Sequence, residues 1–382
     1  MFKERLFTPG PTQLLPQAQT AMAQPLVHHR TDEFRRIFKE VLDGLRYLYD
    51  TEGDVILFTS SGTGAMEGAV VNLLSPGDQA LVVSAGKFGE RWVQLCKAYG
   101  ANSEVLSVPY GRSVDPRQVA TSLERQPATR AVFVQYTESS TGARNDVQAL
   151  GEIVRHYPKT VLVVDAITGL GVMEMPVDRW HLDIVIGGSQ KALMVPPGLA
   201  FAAVSAKAWG LIETVRSPKF YFDFQKERRN NVKAESSYTP AITLIVALRE
   251  SLRYIRELGR ESLVQNAGLL AKATRNAAGA LGLKLFASDS PSDALTAICA
   301  PEGIDSGILI KELKKNFGAV VANGQGEMKG KLLRIAHLGY YDFTDALAII
   351  ACLEIVLKKL NVNVELGSGV RAAQEVYLKT TS

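Results

Sequence analysis

The spacing of hydrophobic residues changes from segment to segment along this chain, and each spacing predicts an element. Over residues 33–49, Phe34, Ile37, Phe38, Val41, Leu42, Leu45 and Leu48 recur every three or four positions. That period puts them on one face of a helix. Val55-Ile56-Leu57-Phe58 is a short unbroken apolar run, as expected of a strand buried on both faces. Similar runs follow at Ala80-Leu81-Val82-Val83, Val105-Leu106, Ala131-Val132-Phe133-Val134, Val161-Leu162-Val163-Val164, Ile184-Val185-Ile186 and Leu199-Ala200-Phe201-Ala202. Helix-length stretches separate several of them. One ends at Ser75-Pro76-Gly77, and one covers about 90–99. A third opens at Asp115-Pro116, an N-cap with proline in the first helical position. Strand–helix alternation of this kind predicts an α/β fold with a mostly parallel sheet covered on both faces. Such sheets bind ligands at the carboxyl ends of their strands.

The two ends read differently. Thr8-Pro9-Gly10-Pro11 holds too much proline for a helix or central strand, so residues 1–20 read as an extended arm. After about residue 219 the texture changes to long helices at 242–257 and 261–281. Short strands near 295–299 and 332–335 then alternate with helices at 306–317 and 344–360. The expected organisation is a large domain over 21–240 and a smaller C-terminal α+β domain over 241–382. Residues 365–382 fit a peripheral helix or a frayed tail equally well.

Composition narrows the partners. Of 382 residues, 46% are hydrophobic, enough for a large core. The 43 basic and 39 acidic residues leave a net charge of +4, spread along the chain, which argues against a nucleic-acid partner. The one short basic stretch, Lys226, Arg228 and Arg229, reads as a solvated loop. Cys96, Cys299 and Cys352 fit no metal-ligand spacing. They read as reduced thiols of a cytoplasmic protein. The first ten residues lack the apolar centre of a secretory signal, and no apolar stretch is long enough to span a bilayer.

Three features carry candidate chemistry. Lys191 follows an apolar strand and the turn Gly187-Gly188-Ser189-Gln190. It is either a surface lysine at a strand end or a desolvated amine, nucleophilic enough to form a Schiff base. Asp165 ends its own apolar run. An acid there suits a metal or ribose ligand in many α/β folds, or the partner of a protonated pyridine nitrogen. Ser61-Gly62-Thr63-Gly64 lies between a strand and a helix. It is either a plain capping turn or an anion site at a helix start. It lacks the Gly-Lys-Ser/Thr of a nucleotide loop and the G-x-G-x-x-G of a dinucleotide fold, so a single phosphate is its natural anion.

Taken together with Gly187-Gly188-Ser189-Gln190-Lys191-Ala192-Leu193, Pro196-Pro197-Gly198 and Glu138-Ser139-Ser140-Thr141-Gly142, these features resemble the class V aminotransferases of pyridoxal phosphate (PLP) fold type I. The alanine–glyoxylate and serine–pyruvate branch is the most similar in pattern. The resemblance runs from Thr8 to about Leu360. It implies an aspartate aminotransferase-like fold and ping-pong transfer of an amino group from alanine or serine to glyoxylate or pyruvate. Aspartate or aminophosphonate transamination, or a non-catalytic subunit on the same fold, are the alternatives. By the resemblance, Lys191 is the Schiff-base lysine and proton shuttle, and Asp165 pairs with the ring nitrogen. Ser61, Gly62 and Thr63 hold the phosphate with Gln190, while Phe88 lies over the cofactor. Ser139 touches cofactor and substrate, and Arg334 binds the substrate α-carboxylate. Thr239 reaches the partner subunit's phosphate, which makes the expected assembly a homodimer with its active site at the interface. Cysteine desulfuration fits poorly: Gln190 precedes the lysine, Phe88 stands at the stacking position and no cysteine lies in a mobile loop. Around His28-His29-Arg30 the chain departs from the alanine–glyoxylate pattern of small residues. An aspartate substrate would need a second cation, for which Arg30, Arg228 and Arg229 are the candidates.

Overall fold

The computed structural model describes residues 3–381. Seven strands form the central sheet: β1 (Asp54–Phe58), β2 (Gln79–Ser84), β3 (Asn102–Ser107), β4 (Ala131–Gln135), β5 (Val161–Asp165), β6 (Ile184–Gly188) and β7 (Ala200–Val204). Their order across the sheet is β1-β7-β6-β5-β4-β2-β3. β7 runs antiparallel to both neighbours, and the other adjacent pairs are parallel. The exception has a simple cause. The link from β6 to β7 contains no crossover helix, so the chain can only double back.

Helices cover both faces. α1 (Asp32–Tyr49) starts where Thr31 Oγ1 accepts the amide of Phe34 at 3.3 Å. Its apolar stripe packs on the face that carries Val55, Val132 and Val164. α2 (Gly62–Leu73) and α3 (Lys87–Ala98) cover the opposite face, where Met66 and Trp92 meet Ile56, Phe133 and Ile186. α4 (Pro116–Arg125) opens as the Asp-Pro pair requires, with Asp115 accepting from Arg117 N at 3.0 Å. β3 is longer than the two residues its apolar pair suggested. It is an edge strand, paired only with β2 among the described residues, with Asn102, Val105 and Ser107 exposed and no residue fully buried, so its pattern is weak.

The basic stretch at 226–229 is not a loop. It lies in α5 (Phe224–Asn231), which Asp223 caps by accepting from Lys226 N at 3.0 Å. Only Phe224 and Glu227 of that helix are buried, so no hydrophobic period announces it. α6 (Ile242–Leu258) packs on α1 and joins the same core. α7 (Arg260–Ala280) leads to a second sheet, order β8-β10-β9, of β8 (Leu295–Cys299), β9 (Ala322–Asn323) and β10 (Leu332–Ala336), all antiparallel. α8 (Ser306–Phe317) and α9 (Phe343–Lys359) cover it with their own core, including Leu309, Leu313 and Leu353.

The C-terminal segment is a helix, α10 (Ser368–Thr381), docked on α7 through Ala373 and Val376. Its start is fixed by Glu354 of α9, which is 3% exposed. The Glu354 carboxylate accepts from Gly367 N at 2.7 Å, Gly369 N at 2.8 Å and Val370 N at 3.0 Å. A buried anion thus satisfies the free N–H groups of a helix start. The N-terminal arm is extended where Arg5–Leu6 pairs in parallel with Ala319–Val320, but it is shorter than the 20 residues expected: Pro16–Met22 is a helix, with proline in its first turn. Among the described residues, no helix is long and apolar enough to cross a membrane.

Candidate active site

Two strands of the central sheet end in charge. Asp165 closes β5, buried, with Oδ1 accepting from Ile167 N at 3.0 Å. Burial pushes its carboxyl up to about 6, against the Ile167 amide and the charges of Lys191 and Arg91. Lys191 lies just beyond β6. Burial brings its ammonium down to about 8, opposed by Asp165 and reinforced by Arg334. Each of these charges lies within electrostatic reach of Lys191, although their positions span 165 to 334 in the sequence.

The N-terminal arm crosses this lysine. Lys191 Nζ donates to the carbonyl of Pro9. Thr12 donates twice to the turn, from Oγ1 to the Lys191 carbonyl at 2.9 Å and from N to the Gln190 carbonyl at 3.3 Å. Gly10 is pressed on the side chain. A Cβ there would stand 2.4 Å from Lys191 Nζ, and its φ of +136° suits glycine alone.

The turn after β1 approaches the same place. Ser61 is the N-cap of α2 but makes no side-chain cap bond, which leaves its hydroxyl free of the helix. Gly62 admits Ile167 from the Asp165 segment; a Cβ on Gly62 would stand 2.3 Å from Ile167 Cδ1. Thr63 Oγ1 accepts from Arg91 Nη1 at 3.1 Å, and the Arg91 guanidinium lies 4.8 Å from the ring centre of Phe88. Phe88 is therefore half-buried beside a cation rather than part of the core. Gln190 Oε1 is buried without a protein partner.

Arg334, on β10, brings the second sheet to the first. It is 5% exposed. Nη1 donates to the Ser139 carbonyl at 2.6 Å, while Nε and Nη2 donate to the Asn323 carbonyl at 3.0 and 2.8 Å. One N–H on each terminal nitrogen remains, and together they match a carboxylate fork. Burial lowers its charge affinity to about 10, which the nearby Glu138 carboxylate opposes. Glu138 is itself buried, its pKa raised by that burial, and it accepts from Phe88 N at 3.1 Å, Gly89 N at 3.0 Å and Ser140 Oγ at 2.6 Å. The Ser139 hydroxyl donates to Thr168 Oγ1 at 2.6 Å.

Of the residues expected at the site, Lys191, Asp165 and Arg334 meet electrostatically, while the Ser61–Thr63 turn, Phe88, Gln190 and Ser139 join them through shared neighbours. Thr239 does not. It is exposed, beside a small cavity lined by Thr59, Glu227 and Tyr238. Arg30 is paired with Glu235 at 2.9 Å and Arg228 with Asp54 at 2.8 Å, so neither is a free cation in the described chain. A cavity of about 670 Å³ lies elsewhere, between Gln13, Tyr254 and Tyr340. Sequence reasoning missed Pro9, Arg91, Glu138, Thr168 and Asn323. Glu138 had a signal, an acid inside an otherwise small-residue motif; the others act mainly through contacts distant in sequence.

The donor set fits PLP. A buried amine of lowered pKa complements an aldehyde, and a buried carboxylate complements a basic ring nitrogen. A helix start with spare hydroxyls complements a phosphate.

Comparison with known proteins agrees. The family model described as aminotransferase class-V matches residues 9–329. A protein named the small subunit of a soluble hydrogenase, from a Synechococcus species, is 40% identical over 98% of this chain and 98% of its own length. The L-aspartate–glyoxylate aminotransferase of Paracoccus denitrificans is 35% identical over 99% of this chain and 97% of its own. The crystal structure of ureidoglycine–glyoxylate aminotransferase from Bacillus subtilis superposes with a TM-score of 0.92 at 29% identity, covering 99% of both chains.

Proposed function

Since the chain belongs to the class V aminotransferases, PLP-dependent enzymes of fold type I, we propose that it moves an amino group from a small neutral amino acid, alanine or serine, to glyoxylate or pyruvate. The observation that carries the donor class is Arg334: one buried guanidinium, oriented by three main-chain bonds, with two N–H groups left for an α-carboxylate. Of the three cations considered for a second carboxylate, Arg30 and Arg228 are already paired with Glu235 and Asp54, and Arg229 lies exposed on α5.

PLP, when bound, draws electrons from the substrate's α-carbon. The chain's own groups do the rest in this reading. Lys191 carries the cofactor and, once displaced by the incoming amine, moves the α-proton. An amine with a pKa near 8 is neutral often enough at physiological pH to act as a base. Asp165 keeps the ring nitrogen protonated. The α2 start, Ser61, Gly62, Thr63 and Gln190 hold the phosphate. Phe88 lies against the ring and Ser139 borders the substrate. Thr239, exposed in one chain, reaches the phosphate of a second copy in a homodimer. The unpaired cysteines are consistent with a cytoplasmic setting.

Aspartate is the second reading, favoured by the Paracoccus relative. It requires the partner subunit to bring a cation. A non-catalytic subunit role, suggested by the hydrogenase-named relative, sits poorly with a desolvated lysine beside a buried aspartate and arginine that would only destabilise an inert fold. The test is a half-reaction screen. The holoenzyme is mixed with single amino acids, and conversion of the lysine-bound cofactor to its amine form is followed by absorbance. Fast conversion by alanine or serine supports the proposal; fast conversion by aspartate alone replaces it with the second reading.

A further inference from the structure

Gln135 ends β4, directly across from Asp165 at the end of β5; the two are paired residues of adjacent parallel strands. Paired residues of a sheet point to the same face. That face also carries Phe133 and Val163 and lies under α2 and α3. Gln135 is 0% exposed, and among the described residues no group satisfies either its Nε2 or its Oε1. An amide buried this way keeps the desolvation cost of every bond it leaves unmade. A leucine would fill the position without that penalty.

One end of the amide lies against α3. The first turn of α3 crosses at Gly89, where a Cβ would stand 3.3 Å from Gln135 Oε1 and 2.7 Å from Ser84 Cα. Glu138 holds this turn in place through the amides of Phe88 and Gly89. With Oε1 against α3, the NH₂ end is the part left for another partner, and Asp165 is its neighbour across the register. Among described residues, the hydrogen bond assigned to the Asp165 carboxylate comes from Ile167. A carboxylate can accept more than that.

We propose that Gln135 is a positioning residue for Asp165: its amide, through one bridging water, donates to the carboxylate and holds it ionised and oriented. This rests on the role given to Asp165 above. Hydrogen bonding to the charged form lowers a carboxyl pKa, and so counters the burial that raises it. Gln135 thus supplies the donor that lets a buried acid stay negative at the sheet edge.

The test compares Gln135→Leu with Gln135→Asn and wild type. Asp165 is titrated in the cofactor-free protein by carboxyl ¹³C NMR, with the signal assigned by Asp165→Asn. The expected result is an Asp165 titration about one unit higher in Gln135→Leu, with unfolding temperature unchanged or raised. In the holoenzyme, the acid limb of the pH–rate profile moves the same way, and Gln135→Asn recovers part of both shifts. A Gln135→Leu protein that is less stable but has an unmoved Asp165 titration would overturn the proposal. The assignment of Asp165 itself fails separately, if Asp165→Asn leaves the cofactor's absorbance and pH profile unchanged.

Discussion

Arg334 donates to the main-chain carbonyl of Ser139 at 2.6 Å, so the residue proposed to bind the substrate's carboxylate also ties the second sheet to the loop beyond β4. The tie is a fork held by backbone, and lysine cannot reproduce it. Arg334→Lys is expected to lose about 1.5–3 kcal/mol of charge-assisted bonding, roughly a 10- to 100-fold fall in kcat/KM for the amino donor. Cofactor loading should stay intact. Steady-state kinetics with the absorbance of the desalted protein measure both.

Gly10→Ala places a methyl 2.4 Å from Lys191 Nζ at a φ of +136°. Backbone strain of that kind costs on the order of 1–3 kcal/mol. The arm or the lysine must shift, so the variant is expected to retain less cofactor after gel filtration and to unfold at a lower temperature. Retention equal to wild type would mean the arm does not constrain Lys191.

Much of this was legible in the sequence. The buried strands of the central sheet read as unbroken apolar runs because helices cover both faces, and the small-residue turns around Lys191 and Ser61 stand where strands end. Other features were hidden for physical reasons. α5 buries only Phe224 and Glu227, too few to show a period. β3 is an edge strand with no fully buried residue. The docking of α10 depends on Glu354, a buried acid whose partners lie beyond the helix that bears it. The Lys191–Pro9 contact joins residues that no local pattern connects. Gln135 looks like one more polar strand end until its register with Asp165 is known.

The pKa shifts set a pH window for stability of the cofactor-free protein. Lys191 sits near 8 when folded and 10.5 when unfolded. Between those values the unfolded chain binds the extra proton, so stability rises with pH across 8 to 10.5, and the penalty is full below 8. Lys191→Met removes the penalty. It is expected to stabilise the apoprotein by up to about 3 kcal/mol at pH 7, with the gain shrinking as pH rises through that window. Asp165, raised to about 6, acts in the opposite sense: its penalty is full above 6 and fades as pH falls toward 3.8. Thermal unfolding of the apoprotein across pH gives both slopes.

Glu354→Leu leaves three amide groups at the start of α10 without an acceptor. A loss of at least about 2 kcal/mol is expected from hydrogen bonds to a charged group. Trypsin should then cut at Arg371 in α10, which is protected while the helix is docked. Urea unfolding and limited proteolysis read the two effects.

Covalent attachment at Lys191 is the most direct measurement. Protein loaded with PLP is reduced with borohydride, digested, and mapped by mass spectrometry. The expected result is a stable pyridoxyl adduct on the peptide containing Lys191, with the visible absorbance lost on reduction and missing in Lys191→Ala. An adduct confined to another lysine, or absorbance unchanged in Lys191→Ala, would contradict a catalytic site built around this amine.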